Sequence, residues 1–226
     1  ALGEVLAFPN PSSNGFQFSI EHNQVCQEGT MTLEVFSSQG QMMHSTQFPW
    51  HVEGFKNNEV RNMLASFANR EGVHQRAYAL LNDTLGLPDE DYHAFLEYSE
   101  MADKIDFMKD GNVSSHMGLA LALAQSVFNE GMSVFASFVM LLNFQRFGKM
   151  KGMATIVEWS IRDETIHVQG NAKLFREFTD EHPRIVNDEL KSKIYQMAEN
   201  AVKLEDKFIQ LAFKGNSVQG LTKKEV

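Results

Sequence analysis

The spacing of apolar positions along the chain changes once, near residue 55. Before that point "FQFSIEH" and "MTLEVFSSQG" alternate apolar and polar residues, and "NPSSNG" is a cluster of turn-forming types. Residues 1–50 are therefore predicted to be strands and turns, a β-rich appendage. Beyond it, apolar residues recur at helical spacing. Five helices are predicted. The first runs from about Asn58 to Thr84 and is stopped by Gly86-Leu87-Pro88. The second runs from Asp89 to about Met108, with acidic residues at its start that suit the helix dipole. The third, Ser114 to about Phe147, is apolar on most sides and expected to be buried. The fourth spans about Met150 to Phe178. The fifth spans about Asn187 to Phe213 and ends at Gly215, and the closing "GLTKKEV" reads as the start of a sixth. No solenoid-length repeat and no low-complexity tract interrupts this order.

Composition narrows the functional classes. The 226 residues suffice for one large domain, or a medium one with an appendage, and 43% hydrophobic with 22% charged residues is ordinary for a soluble globular protein. A net charge of −9 without a basic cluster argues against nucleic acid as a partner. No stretch approaches the roughly 18 uninterrupted apolar residues of a membrane span. The first residues lack the basic-then-apolar order of a signal peptide. One cysteine, Cys26, excludes an internal disulfide. The 12 methionines and 18 phenylalanines fit a thick helical core.

Candidate chemistry lies in two segments. "REGVHQRAYALL" and "RDETIHVQG" both contain Glu-x-x-His, at Glu71/His74 and at Glu164/His167. Residues three apart share a helix face one turn apart, so each pair can reach one metal ion. A single copy on a solvated helix is commonplace. Two copies flanked by Ala68, Val73, Ala77, Ile161, Ile166 and Val168 are a stronger signal, because a buried carboxylate is costly unless paired or coordinated. Helical bundles with a two-metal carboxylate centre use two such helices plus one acid from each of two others. Glu130 is the only acid between Asp110 and Glu158, set in "SVFNEGMSVFASFVML". It reads either as a metal ligand or as a carboxylate bonded to a core hydroxyl or arginine. Tyr78, four residues after His74, shares the face of Glu71 and His74. Its phenol either bonds a neighbour or, beside an oxygen-activating metal pair, is oxidised, with Val134 and Phe138 placed to keep it from water.

From about Phe55 to Val226 the chain resembles the small, radical-generating subunit of class I ribonucleotide reductase. The resemblance rests on "NEVRNMLASFANREGVHQRAYALLNDTLGLP", "NEGMSVFASFVMLLNFQRFGKMKGM", "VEWSIRDETIHVQG" and "GLTKKEV". It implies a mainly α, ferritin-like helical bundle over residues 55–226, with the β segment before it. Carried over by position, Glu71, His74, Glu130, Glu164 and His167 resemble five of the family's six metal ligands. Tyr78 falls on the radical tyrosine. Asp163 resembles the aspartate that bonds a metal-bound histidine and shares in radical transfer. The implied cofactor is two iron ions, with manganese or a mixed pair as the alternatives. The implied partners are a large catalytic subunit and a second copy of the chain, and the implied compartment is the cytoplasm.

The resemblance has gaps. The family's first metal carboxylate, an aspartate, lies roughly thirty residues before the Glu71 position. Here no acid stands between Val35 and Val52, and His51, Glu53 and Glu59 are the nearest polar candidates. The relay tryptophan belongs to the same segment. Phe48-Pro49-Trp50 is similar to a family stretch further upstream, as though a large piece between Trp50 and Phe55 were missing. The docking tail expected after Val226 is missing as well. Residues 1–47, with "FPNPSSNGFQFSI" and "GTMTLEVFSSQGQMMHS", are similar instead to the β-sandwich sorting domain of the type IX secretion system. Three functions remain open at this point: the radical-generating subunit, a ferritin-like metal-storage or oxidase protein, and an inactive fragment or fusion that keeps the motifs.

Overall fold

A computed structural model describes residues 30–36, 42–49, 55–86, 98–109, 113–214 and 218–226. The chain divides into two compact units, Ala1–Glu53 and Gly54–Val226. In the first, β1 (Thr30–Phe36) and β2 (Met42–Pro49) pair antiparallel, from Thr30 opposite Pro49 to Val35 opposite His44, with an irregularity at Phe36. The sorting-domain-like stretch before residue 30 lies outside the described residues, as do His51 and Glu53.

The second unit is helical: α1 (Asn58–Leu85), α2 (Ser99–Lys109), α3 (His116–Phe128), α4 (Phe135–Arg146), α5 (Lys151–Glu181) and α6 (Asp188–Ala212). Local chemistry explains the ends. The Asn57 side chain accepts from the backbone N–H groups of Glu59 and Val60 at 2.9 and 3.1 Å, an N-cap that satisfies two orphan donors. Gly86 ends α1 at φ 63°, a conformation that costs glycine little. Ser115 and Asn187 cap α3 and α6 in the same way as Asn57, each accepting at 3.0 Å from the amide three residues on. Most helix bounds fall within a few residues of the predicted ones. The start predicted for the second helix at Asp89 lies outside the described residues.

Two expectations are corrected. The helix expected over 114–147 runs from His116 to Arg146 but is not regular: a π-helical turn, Asn129–Ser133, divides it into α3 and α4. Such a turn inserts one extra residue and bulges the backbone. "GLTKKEV" forms turns rather than a sixth helix, and the backbone N–H and hydroxyl of Thr222 donate to the Glu225 carboxylate at 2.8 and 2.9 Å.

Helix α5 is the axis of the bundle. It packs on α1, α3 and α4, while α6 packs on α2 and α3. One core cluster joins Leu119 and Leu123 of α3 to Leu174 and Phe178 of α5, Leu190 of α6 and Phe55, whose ring meets Phe178 edge-on. A second joins Phe138 of α4 to Met153 and Val157 of α5. By length and composition the run His116–Arg146 suffices to cross a membrane. Leu119 and Leu123 of this run lie in the first cluster and Phe138 in the second, while Phe144 is 42% exposed, so the stretch expected to be buried is buried only in part, and the acid Glu130 sits near its centre.

Candidate metal centre

Helices α1 and α5 face each other so that the two Glu-x-x-His pairs meet. Glu71 places Oε2 3.5 Å from His74 Nδ1 and Oε1 3.2 Å from His167 Nδ1. Glu164 repeats the pattern, with Oε1 3.2 Å from His74 Nδ1 and Oε2 3.5 Å from His167 Nδ1. Each carboxylate therefore touches both imidazoles, and both imidazoles turn Nδ1 inward. Glu164 and His167 are buried, at 6% and 2% exposure.

Glu71 Oε1 and His167 Nδ1 are close, yet neither is aligned for a hydrogen bond, and both remain buried without one. Once His167 gives up its Nδ1 proton, that nitrogen and Glu71 Oε1 present two lone pairs to one region, an arrangement that suits a cation. Ligand atoms of Glu71, Glu164 and His167 lie within 4.8 Å of one another, a separation a single ion can bridge. The donor set of carboxylate oxygen and imidazole nitrogen fits iron or manganese.

Among the described residues, Glu130 makes none of the contacts that join Glu71, His74, Glu164 and His167; from the π turn it meets α5 at Asn171. Asn171 Nδ2 donates to its Oε2 at 3.2 Å, and Asn171 lies two turns beyond Glu164 on α5. Burial drives the Glu130 pKa up to about 8, helped by the Glu164 and Glu71 charges and opposed by His167 and Asn171. Burial also disfavours charge on the histidines. Contacts with Glu164 and Glu71 outweigh it, raising His74 to about 10 and His167 to about 9. The same contacts overcome burial at Glu71 and lower it to about 2. Without metal, two imidazolium groups thus supply the positive charge that the carboxylates require.

Around this cluster, Asp163 Oδ2 lies 3.2 Å from His74 Nε2. A proton held at Nε2 leaves Nδ1 free to face the cluster. The Arg70 guanidinium approaches the same Asp163 oxygen at 3.4 Å. Tyr78 donates to Ser160 Oγ at 3.1 Å and packs against the Phe138–Met153–Val157 cluster beside Val134. Burial raises the phenol pKa above its ordinary value, and the Glu164 charge adds to this. Tyr78 therefore does bond a neighbour, in a largely apolar surrounding.

Some expectations about the surroundings differ. Val73 and Ile166, two of the apolar flanks, are 49% and 53% exposed, so the residues beside the motifs do not bury them. Glu59 lies exposed in the first turn of α1, twelve residues before Glu71 and hence ~18 Å along the axis. Among the described residues, the acids in ion-pair contact with the two imidazoles are Glu71, Asp163 and Glu164. Asn171, Ser160, Arg70 and Phe67, whose ring centroid lies 4.3 Å from that of His167, were not singled out from sequence. Phe67 and Asn171 carried a usable signal: they lie four residues before Glu71 and seven after Glu164, on the ligand faces.

Comparison with known proteins places this chain in a family. Residues 30–226 match the family described as ribonucleotide reductase, small chain. The match takes in the β hairpin, which the sequence pattern groups with the sorting-domain-like stretch. A probable ribonucleoside-diphosphate reductase small subunit of Invertebrate iridescent virus 6 is 40% identical over 202 residues, covering 79% of this chain and 55% of that protein. Its counterpart in Invertebrate iridescent virus 3 is 34% identical over 228 residues, covering 91% and 60%. The chain thus spans little more than half the length of these relatives. A crystal structure from Bacillus halodurans, provisionally assigned to class I ribonucleotide reductase, superposes with TM-score 0.70 at 20% identity, covering 76% of this chain and 64% of that one. That likeness establishes the ferritin-like helical fold. With the family match spanning most of its residues, the chain belongs to the ribonucleotide reductase small-chain family.

Proposed function

We propose that the chain carries the dimetal, radical-generating centre of a ribonucleoside-diphosphate reductase small subunit, acting in the cytoplasm with a large catalytic subunit and as a homodimer. The observation that carries this reading is the double contact of Glu71 and Glu164 with both inward-facing imidazoles. Glu71, Glu164, His74 and His167 would hold the two ions, with Glu130 as a further ligand from the π turn. The ions are two irons, or manganese in one or both places. When bound, such a pair supplies the oxidising power to take one electron from a phenol. Tyr78 is the phenol in reach. Its proton is directed to Ser160 Oγ, and it packs, partly buried, against the Phe138–Met153–Val157 cluster. Asp163 holds His74 in the tautomer that ligates and links it to Arg70 at the edge of the bundle.

Glu71, His74, Glu164 and His167 contact one another, Glu130 is the fifth ligand of this reading, and a sixth is not among the described residues. The expected loading of this chain is therefore one metal, or two held weakly, with little radical. Metal analysis after exposure to ferrous iron and oxygen, followed by electron paramagnetic resonance, tests this. Two metals per chain with a tyrosyl signal that disappears in Tyr78→Phe would establish a working generator and a sixth ligand outside the described residues. No metal in the parent, and none lost in Glu164→Gln, would sink the metal-centre reading.

A further inference from the structure

A second buried ionic group lies away from the cluster. Lys104 of α2 is 9% exposed, and its Nζ donates to Glu205 Oε2 of α6 at 2.6 Å and to the backbone carbonyl of Ser133 at 2.8 Å. The ammonium also sits 4.3 Å from the centre of the Phe208 ring. Ser133 is the last residue of the π turn that carries Glu130. A π insertion shifts the hydrogen-bond ladder by one residue, and carbonyls at its ends leave the regular pattern. The ammonium provides a donor at that boundary.

The pair is poorly suited to stabilisation alone. Glu205 Oε1 is buried without a hydrogen bond, and buried ion pairs can often be replaced by apolar side chains of similar volume without loss of stability. An apolar side chain cannot anchor a carbonyl, and that is the directional part of the contact. From the other side the turn lies tight on α5: a Cβ at Gly131 would be 3.2 Å from Val168 Cγ2. The π turn is thus held by Lys104 and by its packing on α5, with Glu130 bonded to Asn171 of α5.

We propose that Lys104, held in place by Glu205, is a positioning residue that keeps the π turn in register and so sets Glu130 at the metal centre. The link to metal rests on the function proposed above, whereas the hold on the turn does not. Two measurements separate them. In metal-free protein, hydrogen exchange of the amides of residues 129–135 is expected to quicken roughly tenfold or more in Lys104→Met, with residues 119–125 unchanged. Lys104→Met/Glu205→Met leaves no unpaired buried charge and is expected to fold as the parent does while showing the same local loosening. Glu205→Gln keeps an acceptor for Lys104 and should stay near the parent.

Mn2+ titration then tests the consequence. Affinity is expected to fall about tenfold in both methionine variants, a typical cost of losing support for a ligand. In a Glu130→Gln background, Lys104→Met should produce no further fall. Unchanged exchange at residues 129–135, or equal quickening throughout the bundle, overturns the positioning role. An undiminished tenfold loss in the Glu130→Gln background shows that Lys104 does not act through Glu130. A parent that binds no Mn2+ refutes the metal-centre reading, and the exchange result still decides the hold on the turn.

Discussion

Helices α1 and α5 carry the same Glu-x-x-His motif and bury it differently. On α5, Glu164 and His167 are two of ten buried residues of one helix. On α1 no residue is buried, and the Glu71 side chain is 30% exposed. Equal spacing brings both pairs to one point, because three residues always place two side chains on one face. Enclosure is a separate property supplied by neighbours: α5 has α1, α3 and α4 around it, whereas the principal partner of α1 is α5 itself. The centre is therefore half core and half edge. Its α5 side should respond to substitution as a core does, and its α1 side as a surface does.

The largest expected effect tests that contrast directly. Leu123, 1% exposed on α3 against α5, should cost about 3 kcal/mol when changed to alanine, since the methyl groups lost leave a cavity that close neighbours cannot refill. Leu80 on α1 is 53% exposed, and Leu80→Ala should stay within ~0.5 kcal/mol. Chemical denaturation of both variants decides it. Equal losses would mean that α1 is as firmly packed as α5, and the contrast would fall.

Next comes pH in the metal-free protein. His74 and His167 have folded pKa values raised to about 10 and about 9, above the ordinary 6.5. Their contribution to stability is complete below 6.5 and is lost as pH rises through those values. Glu130, raised to about 8, works in the same direction, because its buried carboxyl is more costly to ionise than in the unfolded chain. The melting temperature should therefore fall steadily from about pH 7 to pH 10. Bound metal requires neutral imidazoles, so loading should release protons and flatten the alkaline slope. Melting curves with and without Mn2+ would show it, and a melting point level across that range would contradict the protonated cluster.

Smaller again is the tyrosine contact. Tyr78→Phe removes the hydrogen bond to Ser160, but Ser160 Oγ keeps its own bond to the carbonyl of Ile156 at 3.1 Å. No buried group is left without a partner, so the loss should be about 1 kcal/mol or less. A loss above ~3 kcal/mol on denaturation would show that the phenol holds the α1–α5 contact together, against the reading of α1 as an edge.

Much of this site was legible in the chain, for identifiable reasons. Asn57, Gly86 and Asn187 act locally, so helix ends followed from residue type. Glu130 stood out because an acid in an apolar run needs a reason to be there. The π turn was hidden: an extra residue in a helix is stabilised by contacts from elsewhere, here Lys104 on one side and Val168 on the other. Nothing in "NEGMS" announces it except the glycine. Lys104 itself sits in a helix of mixed polarity, where a buried lysine resembles any solvated one. The exposure of Val73 and Ile166 escaped for a related reason, since apolar residue type does not say which neighbours are present to cover it.

The smallest effect expected is at the contact between the two motif helices. Gly170 of α5 faces α1, and a Cβ there would lie 2.7 Å from Phe67 Cζ, 3.0 Å from Cε2 and 3.4 Å from the Met63 sulfur. Gly170→Ala must therefore push the Phe67 ring, which lies against the His167 imidazole with its plane tilted by 40°. Overpacking of this kind costs typically ~1–3 kcal/mol in a rigid core. Alanine in mid-helix returns about 1 kcal/mol of propensity. Phe67 and Met63 are only partly buried, so the α1 side can yield and the cost should lie at the low end. Stability should then change by less than ~1 kcal/mol, while the His167 ring resonances shift and Mn2+ affinity falls severalfold, because the face that supports a ligating imidazole has moved. A loss above ~2 kcal/mol would show that α1 cannot yield, which makes it part of the core in spite of its exposure.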